Sequence, residues 1–198
     1  MPNDILTQLA AMRRYFETGV TKPYAFRKQQ LLALKQSVIA HETEIYAALF
    51  ADLKKSKEEC WVTENGFFLA ELNDTLHNLK AWMEPESVST NLLNMPSSSR
   101  ILREPLGVVL AIGPWNYPFQ LLFTPLLGAI AAGNCVVLKP SEFAPATAAV
   151  MQKIIESVFT NDYILYVPGD GATVIPEMMN GFGFDHVFYT GSTITRHI

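Results

Sequence analysis

Four short clusters in this sequence set polar or charged side chains, in three of them beside glycine, at spacings that could do chemistry. The first is Gly113-Pro114-Trp115-Asn116-Tyr117-Pro118, in which two prolines and a glycine bracket one short amide side chain. Asn116 is open to two readings: it could cap the helix that follows, or its amide could donate to a carbonyl oxygen as that oxygen gains charge. The second cluster is Lys139-Pro140-Ser141-Glu142. An ammonium that donates to one hydroxyl and a carboxylate that accepts from two would suit a ribose diol, and the carboxylate would disfavour a 2′-phosphate. An ordinary surface ion pair is the alternative. The third and fourth clusters, Gly169-Asp170-Gly171-Ala172 and Thr190-Gly191-Ser192, offer glycine for close backbone approach, and neither is a complete dinucleotide fingerprint. Gly191-Ser192 falls where a phosphate would meet the amino end of a following helix.

Each cluster follows a continuous apolar run, which is what places it. Val108 to Ile112, Cys135 to Leu138, Tyr163 to Val167 and His186 to Tyr189 read as strands buried on both faces. Helical stretches, about 119–132, 144–159 and 172–180, separate them and are closed by Gly133, Thr160-Asn161 and Gly181. The expected fold class is therefore α/β, a doubly wound, Rossmann-like parallel sheet. Ligands in such sheets bind beyond the carboxyl ends of the strands, where the four clusters lie.

The first half reads as scaffold. Leu31, Leu34, Val38, Ile45, Leu49 and Leu53 have helical spacing, with Thr43 as a cap dividing two helices. Ser56 and Glu59 match a capping box, and Trp61, Phe68, Leu72 and Leu79 continue a core-facing stripe to about Trp82. Glu84-Pro85-Glu86-Ser87 breaks the helix. Residues 88–103 then form two short segments about Met95-Pro96-Ser97-Ser98, read as a projecting β-hairpin arm that meets another subunit or domain, with a surface loop as the alternative.

The net charge of −4 and the absence of a basic run argue against nucleic acid as a partner. Met1 to Asp4 lacks the pattern of a secretory signal, and the apolar run 119–132 is broken by Gln120, Thr124 and Pro125, so a cytoplasmic protein with no membrane segment is expected. Cys60 and Cys135 are expected to be unpaired, and His41, His77, His186 and His197 show no metal-ligand spacing, so no metal is expected.

The stretch PLGVVLAIGPWNYPFQLLFTPLLGAIAAGNCVVLKPSE, with FDHVFYTGST further on, resembles the aldehyde dehydrogenase superfamily, and the short amino end with the WNYP form resembles its class 3, fatty or aromatic aldehyde branch. The likeness runs from about Tyr15 to Ser192. It implies NAD(P)-dependent oxidation of a small-molecule aldehyde to a carboxylic acid, with NAD as cofactor and NADP also accommodated in the class. It implies that Asn116 helps form the oxyanion hole, and that Ile112, Pro114 and Trp115 line the cofactor cleft. Lys139 and Glu142 would hold the adenosine ribose, Gly171 would lie near the adenine, and Gly191 and Ser192 would approach the pyrophosphate. On this likeness residues 1–84 form a helical part of the cofactor domain, 85–105 an arm that makes a homodimer, and 106–198 an incomplete nucleotide-binding part. The family's catalytic domain, with its cysteine nucleophile and glutamate, is absent from this sequence, so the fold expected is a truncated one and the chain alone is expected to be inactive. A non-enzymatic nucleotide-binding or oligomerisation module is the alternative. Cys60 and Cys135 match non-catalytic positions. Ile194-Thr195-Arg196 departs from the family, either replacing a glycine or lacking one residue.

Overall fold

The computed structural model describes residues 5–192; the departure at Ile194-Thr195-Arg196 lies outside them. Five helices come first: α1 (Ile5–Glu17), α2 (Tyr24–Ala40), α3 (Glu42–Leu53), α4 (Lys57–Thr63) and α5 (Asn65–Met83). The arm follows as β1 (Glu86–Val88) and β2 (Ser99–Ile101). The α/β part is β3 (Val108–Ile112), α6 (Gln120–Ala132), β4 (Cys135–Lys139), α7 (Pro145–Val158), β5 (Ile164–Tyr166), α8 (Gly171–Gly181) and β6 (His186–Tyr189).

The apolar runs pair as expected. The sheet has the order β5-β4-β3-β6 and is parallel throughout. Every residue of β3, β4 and β5 is buried, so unbroken apolar sequence here reflects cover on both faces. α6 and α1 both pack against β3 and β4. β6 is an edge strand of alternating exposure, with Phe188 44% exposed. The register sets Ile112 beside Lys139 on one side and beside Tyr189 on the other, which aligns three strand ends along one edge. From β3 the chain builds outward through β4 to β5, then returns to place β6 against the other side of β3. The crevice between β3 and β6 is therefore the switch point at which such sheets bind ligands.

Gly133 closes α6 at φ 87°, a left-handed position where glycine carries no Cβ penalty, and its N–H caps carbonyls of the last turn. Arg27 packs against it. This buried arginine of α2 donates to the carbonyls of Thr21 (3.1 Å) and Ala131 (3.0 Å), tying the helical layer to α6.

Several expectations for the first half need correction. The break between α2 and α3 falls at His41 rather than at Thr43; Glu42 and Glu44 occupy the first turn of α3, where acidic side chains favour a helix amino end. Ser56 is the N-cap of α4 and accepts from the Glu59 N–H at 3.2 Å, as its motif implied. The stripe from Trp61 to Leu79 is not one helix. Glu64, at φ −126° and ψ −97°, interrupts it and resets the phase, so Phe68, Leu72 and Leu79 are buried while Trp61 is 50% exposed. α1 was not anticipated, although its Leu9 and Met12 are fully buried. The arm is an antiparallel pair, Glu86 opposite Ile101 and Val88 opposite Ser99, so Glu86 and Ser87 belong to a strand rather than to a helix break.

Candidate functional site

Gly113 opens the corner after β3, its N–H bonded to the Lys139 carbonyl at 3.1 Å. Ile112 is buried, Pro114 half-buried, and Trp115, Asn116 and Tyr117 are exposed. Asn116 does not cap α6. That position is held by Phe119, which makes no side-chain cap. The Gln120 N–H instead donates at 2.9 Å to Glu64, a carboxylate from the break between α4 and α5. Asn116 is thus left exposed at the strand end, with no part in capping the helix.

Glu64 was not identified from the sequence, and neither was its partner. Lys55 lies in the turn between α3 and α4, with its Nζ 2.5 Å from Glu64 Oε1 and 2.9 Å from the carbonyl oxygen of Asn116. The ammonium also sits 3.9 Å from the centroid of the Tyr117 ring. Both residues are buried. Burial pushes the Glu64 carboxyl above the ordinary range, while Lys55 and the amides of Gln120 and Phe119 pull it down.

Lys139 is 1% exposed, so its pairing with Glu142 is not an ordinary surface ion pair. Its ammonium donates to the Pro140 carbonyl at 2.6 Å and to Glu142 Oε2 at 3.3 Å. Glu142 Oε1 accepts from the Gly171 N–H, the first of α8, at 3.1 Å. A Cβ on Gly171 would stand 3.3 Å from that oxygen, a close approach that favours glycine. A lysine has three donors and each carboxylate oxygen accepts more than one bond, so capacity remains on both partners for hydroxyls of a ligand. Burial would raise the Glu142 carboxyl, but its own N–H, that of Gly171 and the Lys139 ammonium outweigh this and hold it below the usual carboxylate range. A carboxyl lowered on folding contributes stability above its unfolded pKa and loses it as pH falls through the folded one. Glu142→Gln is therefore expected to lower stability modestly at neutral pH, to leave it little changed below about pH 4 where the carboxyl is protonated anyway, and so to flatten the acid limb of the stability curve, as followed by thermal melts across pH.

The remaining clusters lie on the same edge. Asp170 caps α8, accepting from the Ala172 N–H and the Thr173 hydroxyl. The Thr190 N–H continues the β3–β6 ladder to the Ile112 carbonyl, and the Tyr189 hydroxyl donates to the Ser192 carbonyl at 3.2 Å. A Cβ on Gly191 would overlap the Tyr189 hydroxyl. The structure thus links Lys139 through Glu142 to Gly171 and ties Ile112, the residue before the corner that carries Pro114, Trp115 and Asn116, to Tyr189 and Thr190, the residues before Gly191 and Ser192.

Neither thiol belongs to this edge. Cys135 begins β4, at the opposite end of the sheet, and burial pushes its thiol up to about 12. Cys60 is buried in α4 and burial pushes it up to about 11. Both are free thiols with little thiolate character. Among the described residues no cluster of three or more histidine, cysteine or acidic side chains could hold a metal, and no helix is long and apolar enough to cross a membrane. Two grooves lie away from the edge, one of about 360 Å³ beside Arg27, Trp82 and Thr124 and one of about 280 Å³ beside Val109 and Phe188. The first mixes polar and apolar groups at the base of the arm, and the second is mainly apolar.

A parallel sheet wound with helices, whose strand ends gather a buried lysine, a carboxylate and close-approach glycines, places the chain in the doubly wound α/β class. The chain belongs to the aldehyde dehydrogenase family, whose model matches residues 2–198. It is 45% identical over 184 residues to an aldehyde dehydrogenase of Craterostigma plantagineum, covering 92% of this chain and 38% of that protein. It is 42% identical over 191 residues to aldehyde dehydrogenase family 3 member H1 of Arabidopsis thaliana, covering 96% of this chain and 38% of the relative. Among solved structures, the substrate-bound state of Staphylococcus aureus AldH superposes with a TM-score of 0.91 at 39% identity, covering 98% of this chain and 43% of that one. A betaine aldehyde dehydrogenase variant in complex with NAD+ superposes at 0.71 with 27% identity, covering 83% and 33%. The chain thus spans about two fifths of the length of these relatives.

Proposed function

We propose that this chain forms the cofactor and oxyanion portion of an NAD-dependent aldehyde dehydrogenase site, for oxidation of an aldehyde to a carboxylic acid. The observation that carries the reading is the buried Lys139 ammonium joined to Glu142, and Glu142 to the amide of Gly171, on the same sheet edge as the exposed Asn116. A nicotinamide bound here would supply a hydride acceptor for the substrate. Lys139 and Glu142 grip the ribose hydroxyls, and the negative charge of Glu142 favours NAD over NADP. Gly171 and Gly191 let backbone approach the adenine and pyrophosphate, Ser192 meets the latter, and Ile112, Pro114 and Trp115 wall the cleft. The Asn116 amide donates to the aldehyde oxygen as charge builds there, stabilisation of a kind that typically changes rate by about 10²–10³-fold.

Neither Cys60 nor Cys135 is placed or ionised to attack an aldehyde, so the 198-residue chain by itself is expected to form no NADH from an aldehyde. Steady NADH formation by the purified chain, retained after removal of host enzymes, would contradict this.

A second reading concerns the arm. Leu92 and Leu93 near the tip are 82% and 91% exposed, and Ile101 and Leu102 on the returning segment are exposed too. A two-stranded ribbon is marginal alone, and such apolar surface is suited to a partner, here a second copy of the chain. Light scattering should report a dimer that Leu93→Lys/Ile101→Lys converts to monomer; a monomeric wild type would remove the support for this interface.

A further inference from the structure

The corner that carries Asn116 is held from outside by two charged residues that no catalytic motif contains. The Lys55 ammonium takes the carbonyl of Asn116 at 2.9 Å and faces the ring of Tyr117, while Glu64 takes the N–H of Gln120 at 2.9 Å. The two side chains meet at 2.5 Å, and both are buried. Each comes from a break in regular structure. Lys55 follows Lys54, the left-handed cap of α3 at φ 60°, and Glu64 is the interruption between α4 and α5. The breaks thus aim one cation and one anion at the two ends of the same five-residue corner, 116–120. Phe119 anchors the segment from below, fully buried against Phe68 and Phe123.

We infer that Lys55 and Glu64 are a positioning pair that sets the direction of the Asn116 amide by fixing the backbone on either side of it. This rests on the proposed role of Asn116 as oxyanion donor. A donor must stand at its working distance before charge develops, and an exposed side chain on an exposed corner gains that only from a fixed backbone. A hydrophobic pair at these positions would fill the space without holding the Asn116 carbonyl. The charges are therefore in place for direction rather than for net stability.

The test is residue-resolved amide exchange on the whole chain, without nucleotide or aldehyde. The Leu121 N–H bonds to the Tyr117 carbonyl at 3.0 Å within the corner, a bond to which neither Lys55 nor Glu64 contributes an atom. Lys55→Met/Glu64→Gln removes both charges and keeps an acceptor for the Gln120 N–H. In this variant Leu121 is expected to exchange about tenfold faster than in the wild type, while β4 amides keep their rates. Lys55→Met/Glu64→Leu supplies the same readout should the first variant fold poorly. Unchanged protection at Leu121, or acceleration of corner and β4 by a common factor, would overturn the inference. Because neither ligand is present, loss of nucleotide binding or of the oxyanion role would leave this readout intact, so the two ideas fail separately.

Discussion

Glu64→Leu alone is expected to destabilise the chain by about 3–5 kcal/mol, the cost typical of removing one member of a buried ion pair. The substitution leaves the Lys55 ammonium buried with only the Asn116 carbonyl and the Tyr117 ring, and leaves the Gln120 N–H without its acceptor. Lys55→Met/Glu64→Leu should recover most of that loss, since no uncompensated charge then remains inside and two apolar chains fill a similar volume. Urea unfolding of the wild type, both single variants and the double variant measures the coupling directly. A loss below about 1 kcal/mol in Glu64→Leu would mean that water reaches the pair and that the corner is not sealed.

The other large effect concerns nucleotide affinity. Lys139→Met is expected to weaken NAD+ binding by about tenfold or more, because a hydrogen bond from a charged group contributes about 1.5–3 kcal/mol and tenfold corresponds to about 1.4 kcal/mol. Stability should change much less. The Met side chain follows the buried path of the lysine stem, and Glu142, a third exposed, can be rehydrated when its partner is lost. Glu142→Gln should weaken NAD+ binding as well and narrow the preference over NADP+, because the carboxylate is the group that repels a 2′-phosphate. Calorimetric titration with both nucleotides, alongside thermal melts, separates an effect on the site from an effect on the fold.

The sheet was readable in the sequence because its strands are covered on both faces: Val108–Ile112 and Cys135–Lys139 have no solvent side and so carry no polar alternation. Lys139 and Glu142 could be picked out because they sit where an apolar run ends, three residues apart, so that local geometry alone lets them meet. Lys55 and Glu64 offered no comparable signal. Glu64 occupies a stretch whose apolar spacing fits one continuous helix, and only packing against the corner 116–120 reveals why the helix breaks there. The same break misplaced Trp61, since a helical stripe predicts burial only while its phase persists. Proximity made Asn116 one candidate for the cap of α6, whereas the acceptor is supplied from 56 positions away in sequence. A contact of that kind is set by tertiary structure, which local patterns do not encode.

The proposed site stands or falls on where a nicotinamide dinucleotide lands on this chain. The direct measurement is a titration of the isotopically labelled chain with NAD+, followed by amide chemical shifts. Saturable shifts should gather at Ile112 and Gly113, at Trp115 and Asn116, at Lys139 and Glu142, and at Gly171, Gly191 and Ser192, and they should weaken in Lys139→Met. Saturable shifts at the arm or at the groove beside Val109 and Phe188 with this edge silent, or no shift at all in a chain shown to be folded by circular dichroism, would contradict the assignment of this sheet edge as a cofactor site.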